Sequence, residues 1–96
     1  MIIRVFRVKV QKESSKAFER DFESISVPLV KSQTGVISVE FGRALSDFDN
    51  EYIMISHWSD IDSLKQFAGD SWQQAMIPHG MEQYIKECWV YHYESE

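Results

Sequence analysis

The chain has 96 residues and a mass of 11.3 kDa, and single hydrophobic cores typically hold about 50 to 200 residues, so we expect one domain spanning residues 1–96. Hydrophobic residues make up 44% and charged residues 26% of the chain, which excludes a disordered or low-complexity protein. Fifteen acidic residues against ten basic ones give a net charge of −5, and because no basic cluster offsets it, we expect neither nucleic acid nor membrane as a partner.

The N-terminal segment predicts a strand that is apolar on both faces. Residues 2–10 are rich in β-branched and aromatic side chains, and alternation places Arg4 on the same face as Phe6. Basic residues at positions 4, 7 and 9 interrupt the apolar run, which excludes a signal peptide and leads us to expect a cytoplasmic protein. Every apolar run is far shorter than the ~18 residues of a membrane span.

The hydrophobic period changes from about Ser14 onward. Apolar residues then recur at spacings of four, three and four, at Phe18, Phe22, Ile25 and Leu29, with charged residues between them. This pattern predicts an amphipathic helix with those four side chains facing inward. We expect Pro28 to interrupt or end the helix.

Two strands joined as a hairpin are predicted next. Residues 36–41 alternate, with Ile37, Val39 and Phe41 on one face, and residues 52–58 resume strand character. The intervening Ser46–Asn50 segment is rich in turn-forming residues. No helical pattern separates the two strands.

A second helix is predicted to begin at Asp60. Ser59 and Asp62 match a capping box, and the inner face of the helix consists of Ile61, Leu64, Phe67 and Ala68. Gly69 can end the helix, a further turn carries Trp72, and Pro78 stops it.

A fourth strand at residues 87–93 completes a β-α-β-β-α-β order. This order predicts an α+β, ferredoxin-like antiparallel sheet with two helices on one face. The helices cover only that face, yet the strands are apolar on both. We therefore expect a homodimer through the open sheet face.

The order of elements resembles that of the antibiotic biosynthesis monooxygenase (ABM) domain superfamily of dimeric α/β barrels. The likeness includes Trp58, which closes the third strand in Ser56-His57-Trp58, and the capped helix of residues 59–69. The resemblance implies binding of a small hydrophobic aromatic molecule. It also implies, as one activity, cofactor-independent oxygenation of a phenol, anthrone or quinol by O₂.

The superfamily also contains haem-degrading members, so the resemblance implies haem as an alternative cofactor. In that pattern Phe6 stands where the first strand would carry asparagine, and Phe67 where the second helix would carry tryptophan. The haem-ligand position falls at Met76 or Ile77, with His79 two or three residues later. A third hypothesis is a non-catalytic ligand-binding or stress-associated module.

Three histidines are candidate catalytic residues, because imidazole suits general base work near neutral pH. His57 and His92 lie on predicted strands, where a hydrogen-bonded core role is the structural alternative. His79 lies in an irregular segment, where a solvated loop position is the alternative. With Glu82 it forms a two-ligand pattern, which is too little for a metal site, so no metal is predicted.

A substrate pocket is predicted from the surplus of aromatic residues and from the arginine on the Phe6 face of the first strand. Its predicted residues are Arg4, Phe6, Trp58, Phe67 and Trp72. Aromatic walls can hold a flat ligand, although core packing also explains them. Arg4 suits a phenolate or carboxylate, or else a salt bridge at the sheet edge.

Overall fold

The computed structural model describes residues 1–45, 50–78 and 80–96. Its helices and strands are β1 (Ile2–Val10), α1 (Ser15–Asp21), α2 (Val27–Lys31), β2 (Val36–Arg43), β3 (Glu51–Trp58), α3 (Ile61–Ala68) and β4 (Ile85–Glu94). A π-helical turn, Phe22–Ser26, joins α1 to α2, so the first helical segment is continuous. None of the described helices is long and apolar enough to cross a membrane.

The four strands form one antiparallel sheet in the order β2-β3-β1-β4. In the two central strands Phe6 lies opposite Met54, and Val90 of β4 flanks Phe6 on its other side. The ferredoxin-like prediction is therefore confirmed, as is the β2-β3 hairpin. Residues 46–49 of its predicted turn lie outside the described part of the chain.

The core lies between the helices and one face of the sheet. β1 contributes Phe6, Val8 and Val10, which are buried against Phe18 and Phe22 of the first helical segment. The opposite face is lined by the alternate residues of each strand, and none of the described helices or loops forms a layer over it. We call this second surface the open face.

The π-helical turn changes which side chains of the first helical segment face inward. The Val27 N–H donates to the Phe22 carbonyl, five residues earlier, so this turn holds one more residue than an α-helical turn. Ser26 is buried as a result, whereas Ile25 is 44% exposed. The prediction that Ile25 faces the core is therefore wrong, and the helix continues past Pro28 to Lys31.

A β-bulge displaces one residue of β2 from its predicted face. The pairing register between β2 and β3 shifts between Val36 and Ser38, which leaves the intervening Ile37 59% exposed. Val39 and Phe41 pack toward the helices as predicted, and Ile37 does not.

The cap of α3 lies one residue later than predicted. Asp60 is the N-cap, and its Oδ1 accepts a hydrogen bond from the Ser63 N–H at 2.8 Å. Ser59 instead donates its hydroxyl to Asp60 Oδ2. Gly69 ends the helix, and the following residues form a turn without continuing into the predicted further helical turn that carries Trp72.

Gly35 allows the turn between the first helical segment and β2 to pack closely against α3. Its φ of +89° lies in the left-handed region, and a Cβ at this position would overlap the side chain of Ser63. The Gly35 carbonyl accepts a hydrogen bond from the Ser59 N–H at 2.8 Å. The turn before β2 and the start of α3 are thereby held in direct contact.

Candidate functional site

A cavity lies between the sheet and the first helical segment. Its lining side chains come from both layers and from the segment before β4: Arg4, Phe6, Phe18, Phe22, Ser26, Leu29, Val30, Met54, Ser56, Phe67, Met76, Ile77, Pro78, Met81 and Ile85. The cavity volume is about 30 Å³, which is space for roughly two water molecules. A larger ligand must displace side chains, and the three methionines of the wall are the most adaptable ones.

Three of the described lining residues are polar, and all three are buried. Arg4 lies on β1, Ser56 lies opposite it on β3, and Ser26 belongs to the π-helical turn. Their exposed fractions are 5% for Arg4, 1% for Ser56 and 5% for Ser26. A cavity with apolar walls and a few converging polar groups is typical of small-molecule sites.

The Arg4 guanidinium is held by neutral acceptors. Nη1 donates to the Trp72 carbonyl at 2.7 Å and to His92 Nε2 at 2.9 Å, and Nη2 donates to the Gln74 carbonyl at 3.2 Å. The ion pairs formed by described residues do not include Arg4. The described residues thus provide no salt bridge for Arg4, and burial lowers its pKa to about 10.

His92 lies behind Arg4 rather than among the described residues that line the cavity. Because Nη1 of Arg4 donates to His92 Nε2, the ring is neutral and carries its proton on Nδ1. Its edge packs on the ring of Trp72, with centroids 4.9 Å apart. Burial, and then the charge of Arg4, lower the pKa of His92.

The other two candidate histidines are differently placed. His57 lies on the open face of β3, where its Nδ1 is 3.0 Å from the hydroxyl oxygen of Ser38. It therefore does not face the cavity. His79 lies outside the described residues.

Of the four aromatic residues predicted for the pocket, two line the cavity and two lie outside its lining. Phe6 and Phe67 line the cavity. Trp58 is completely buried behind Phe67, with ring centroids 5.4 Å apart, and its Nε1 donates to Ser56 Oγ at 2.9 Å. Trp72 contributes its carbonyl to Arg4 and its ring to His92.

Ser26 and Ser56 are the polar lining residues that sequence reasoning missed. Ser56 interrupts the inward-facing apolar series Tyr52, Met54 and Trp58, and that interruption is a signal that could have revealed it. Ser26 offers no such signal, because only the π-helical turn brings it inward.

No cluster of three or more metal-binding side chains occurs among the described residues. The described residues that line the cavity also include no histidine or cysteine that could ligate haem iron. Among residues 1–45, 50–78 and 80–96, the cavity wall offers haem iron only methionine thioethers, without the histidine or cysteine that anchors most haems.

The family model described as "Antibiotic biosynthesis monooxygenase" (ABM) matches residues 1–77. The chain belongs to the ABM family. No curated protein sequence matches this ABM domain.

Solved structures share the fold of this ABM domain at low sequence identity. A variant of SnoaB, a cofactor-independent oxygenase from Streptomyces nogalater, is 21% identical with a TM-score of 0.75, over 98% of this chain and 91% of that one. A conserved protein from Methanosarcina mazei Go1 is also 21% identical, with a TM-score of 0.76 over 100% and 94% of the two chains. A variant of MhuD with two manganese protoporphyrin IX molecules bound per active site is 15% identical, with a TM-score of 0.74 over 99% and 94%.

Proposed function

We propose that this ABM domain binds a small hydrophobic aromatic molecule in the cavity and oxygenates it with O₂, without a bound cofactor. The observation that carries the proposal is the cavity between helix and sheet, whose wall among the described residues is apolar except for the buried Arg4, Ser26 and Ser56. The likeness of fold to a cofactor-independent oxygenase supports the same reading.

Cofactor-independent oxygenation requires the protein to position the substrate, to assist removal of its proton and to exclude water. In an anthrone the reacting CH₂ group becomes a carbonyl, so two C–H bonds break and one oxygen atom of O₂ forms the new C=O bond. The other oxygen atom leaves as water with the two hydrogens. The reaction proceeds through the enolate of the substrate, and hydrogen-bond donors near its oxygen stabilise that charge.

Arg4 and the two serines are the groups that would hold an anionic group of the ligand. Burial makes their hydrogen bonds stronger than they would be in water. His92 does not line the cavity, but its Nε2 accepts a hydrogen bond from Arg4 and thereby helps to position the guanidinium. His57, on the open face, is not in reach of a ligand in this cavity.

Oxygen uptake with an anthrone tests this proposal. Purified protein should accelerate O₂ consumption above the rate with heat-denatured protein, and His92→Ala should remove most of the acceleration. A loss caused by His57→Ala instead would contradict the placement of the site. Saturable binding without turnover across phenols, anthrones and quinols would favour the non-catalytic module.

Haem is the second candidate ligand, since the similarly folded MhuD binds a protoporphyrin. His79 would have to supply the iron ligand, and its neighbour Pro78 lines the cavity. Titration with haemin should then give a saturable, stoichiometric shift of the Soret band that His79→Ala abolishes. A weak shift that the substitution leaves unchanged would reject haem.

A second copy of the chain is the proposed cover of the open face. Val5, Ile53 and Ile55 lie at its centre, and Tyr91 and Tyr93 are large exposed side chains at its β4 side. Burying an apolar side chain contributes roughly 1.5 to 3 kcal/mol, so covering several of them is comparable to the stability of a small domain. Light scattering should give twice the chain mass of 11.3 kDa.

A further inference from the structure

We infer that the cavity recognises a carboxylate, so that its ligand is a hydrophobic aromatic acid whose charged group lies between Arg4, Ser26 and Ser56. The inference rests on the proposed ligand cavity, and it does not require turnover.

The first step is the unbalanced charge of Arg4. A buried cation is rarely found without a partner of opposite charge, because desolvation costs several kcal/mol per ion. Each hydrogen bond that Arg4 makes within the described chain goes to a neutral atom: two carbonyl oxygens and one imidazole nitrogen. The cavity therefore contains a positive charge that a bound anion would neutralise.

The second step is the donor capacity that remains on Arg4. A guanidinium has five N–H groups, and the hydrogen bonds to Trp72, His92 and Gln74 occupy three of them. The Nε–H and one Nη2–H have no acceptor among the described residues. On the open face, the same two nitrogens of Arg7 bind both carboxylate oxygens of Glu51, at 3.2–3.3 Å.

The third step is the direction of the two hydroxyl groups' hydrogen bonds. Ser56 Oγ accepts from Trp58 Nε1, which leaves its own O–H free to donate. Ser26 Oγ has no hydrogen-bond partner among the described residues. Both serines line the cavity, so both can donate to a ligand there.

The number of free hydrogen-bond donors and the single positive charge favour a carboxylate over a phenolate or a phosphate dianion. Two N–H groups and two hydroxyls offer four hydrogen bonds, and an ionised carboxylate has about four acceptor sites. A phenolate has one oxygen and cannot use all four donors. A phosphate dianion would bring two negative charges to a single cation within apolar walls.

Calorimetric titration with 1-naphthoic acid and its neutral isostere 1-naphthalenecarboxamide tests the inference at neutral pH. The wild-type protein should bind the acid at least about tenfold more tightly than the amide, as expected for charge-assisted hydrogen bonds. Arg4→Met should remove most of this preference, and Ser26→Ala should reduce it by about threefold or more. Arg20→Met, at an exposed arginine paired with Asp21, is the matched control and should leave it unchanged.

Ser26→Ala keeps Arg4 in place, so the test stands even if Arg4→Met does not fold. Equal binding of acid and amide would overturn the inference and leave the ligand cavity intact. Tighter binding of 1-naphthol than of the acid would overturn it in favour of a single phenol oxygen. Binding of an anthrone but of neither naphthalene compound would reject the carboxylate inference and leave the proposed function standing. If none of these compounds binds, both the inference and the proposed function are rejected.

Discussion

Nη1 of Arg4 lies 2.9 Å from His92 Nε2, so a buried guanidinium donates to a neutral imidazole. The pair connects the central strand β1 to the edge strand β4, and the two residues lie directly opposite each other in the sheet. A proton on Nε2 would end this hydrogen bond and place two cations in contact. The protonation state of His92 therefore decides whether Arg4 keeps this support.

Stability should fall in mild acid because of this pair. The pKa of His92 is lowered from 6.5, so the neutral ring contributes stability that is fully present above pH 6.5 and is lost as the pH falls through the folded-state pKa. Urea unfolding at pH 8, 7, 6 and 5 should show a decline below 6.5 that is smaller in His92→Gln. The carboxyls of Asp21 and Asp60, whose pKa values are lowered from 3.8, titrate below this window. An identical decline in the variant would contradict the assignment.

Removing the Ser56 hydroxyl should destabilise the fold through Trp58. Ser56→Ala leaves the buried indole N–H without its acceptor, and an unsatisfied buried donor costs about 1–3 kcal/mol. Trp58→Phe removes the donor, so adding Ser56→Ala to that variant should cost less. A double-mutant cycle of unfolding free energies measures the coupling, and additive effects would mean that the hydrogen bond contributes nothing.

Two glycine substitutions should separate backbone strain from steric overlap. Gly35→Ala and Gly69→Ala both place a side chain at positive φ, at +89° and +79°. Each should lower the free energy of unfolding by about 1–3 kcal/mol for that reason, and Gly69, with a ψ of −164°, lies in a region that is almost restricted to glycine. At Gly35 the new Cβ also meets Ser63, whereas nothing lies near it at Gly69. We expect the larger loss at Gly35, and equal losses would show that the contact with Ser63 relaxes freely.

A charge at the centre of the open face should dissociate the proposed dimer. Ile55 lies on β3 beside Glu40 of β2, so Ile55→Lys gives the monomer a nearby opposite charge but would bury a cation in a dimer. Light scattering should then report the monomer mass at micromolar concentration. Ile25→Lys, on the outer side of the helical layer, is the matched control and should leave the mass unchanged. A dimer that persists in Ile55→Lys must use another surface.

The strand order and the facing of β1 could be predicted because alternation in a strand has a fixed period. On that basis the sequence predicts Arg4 beside Phe6, and the structure has both on the cavity wall. The same alternation groups His57 with the apolar residues of β3. It could not tell which face the helices cover, and that alone separates His57 from the cavity.

The remaining features depend on departures from a regular period. The π-helical turn places Ser26 on the inward face in the position expected for Ile25, and the bulge in β2 exposes Ile37. Neither the π-helical turn nor the bulge has a sequence signal as strong as the helical or strand periodicity that it interrupts. The contact between Arg4 and His92 joins residues 88 positions apart, so only the sheet register reveals it.

The π-helical turn also has a consequence for how such a cavity can diversify. The turn holds one residue more than an α-helical turn, so deleting one of residues 23–25 would return the segment to an α-helix and leave Ser26 and Val30 facing inward. A deletion after Ser26 would instead turn the later residues of the helix by about 100° relative to the sheet. The position of a single-residue deletion relative to the π-helical turn thus decides whether the helical wall of the cavity is kept or changed.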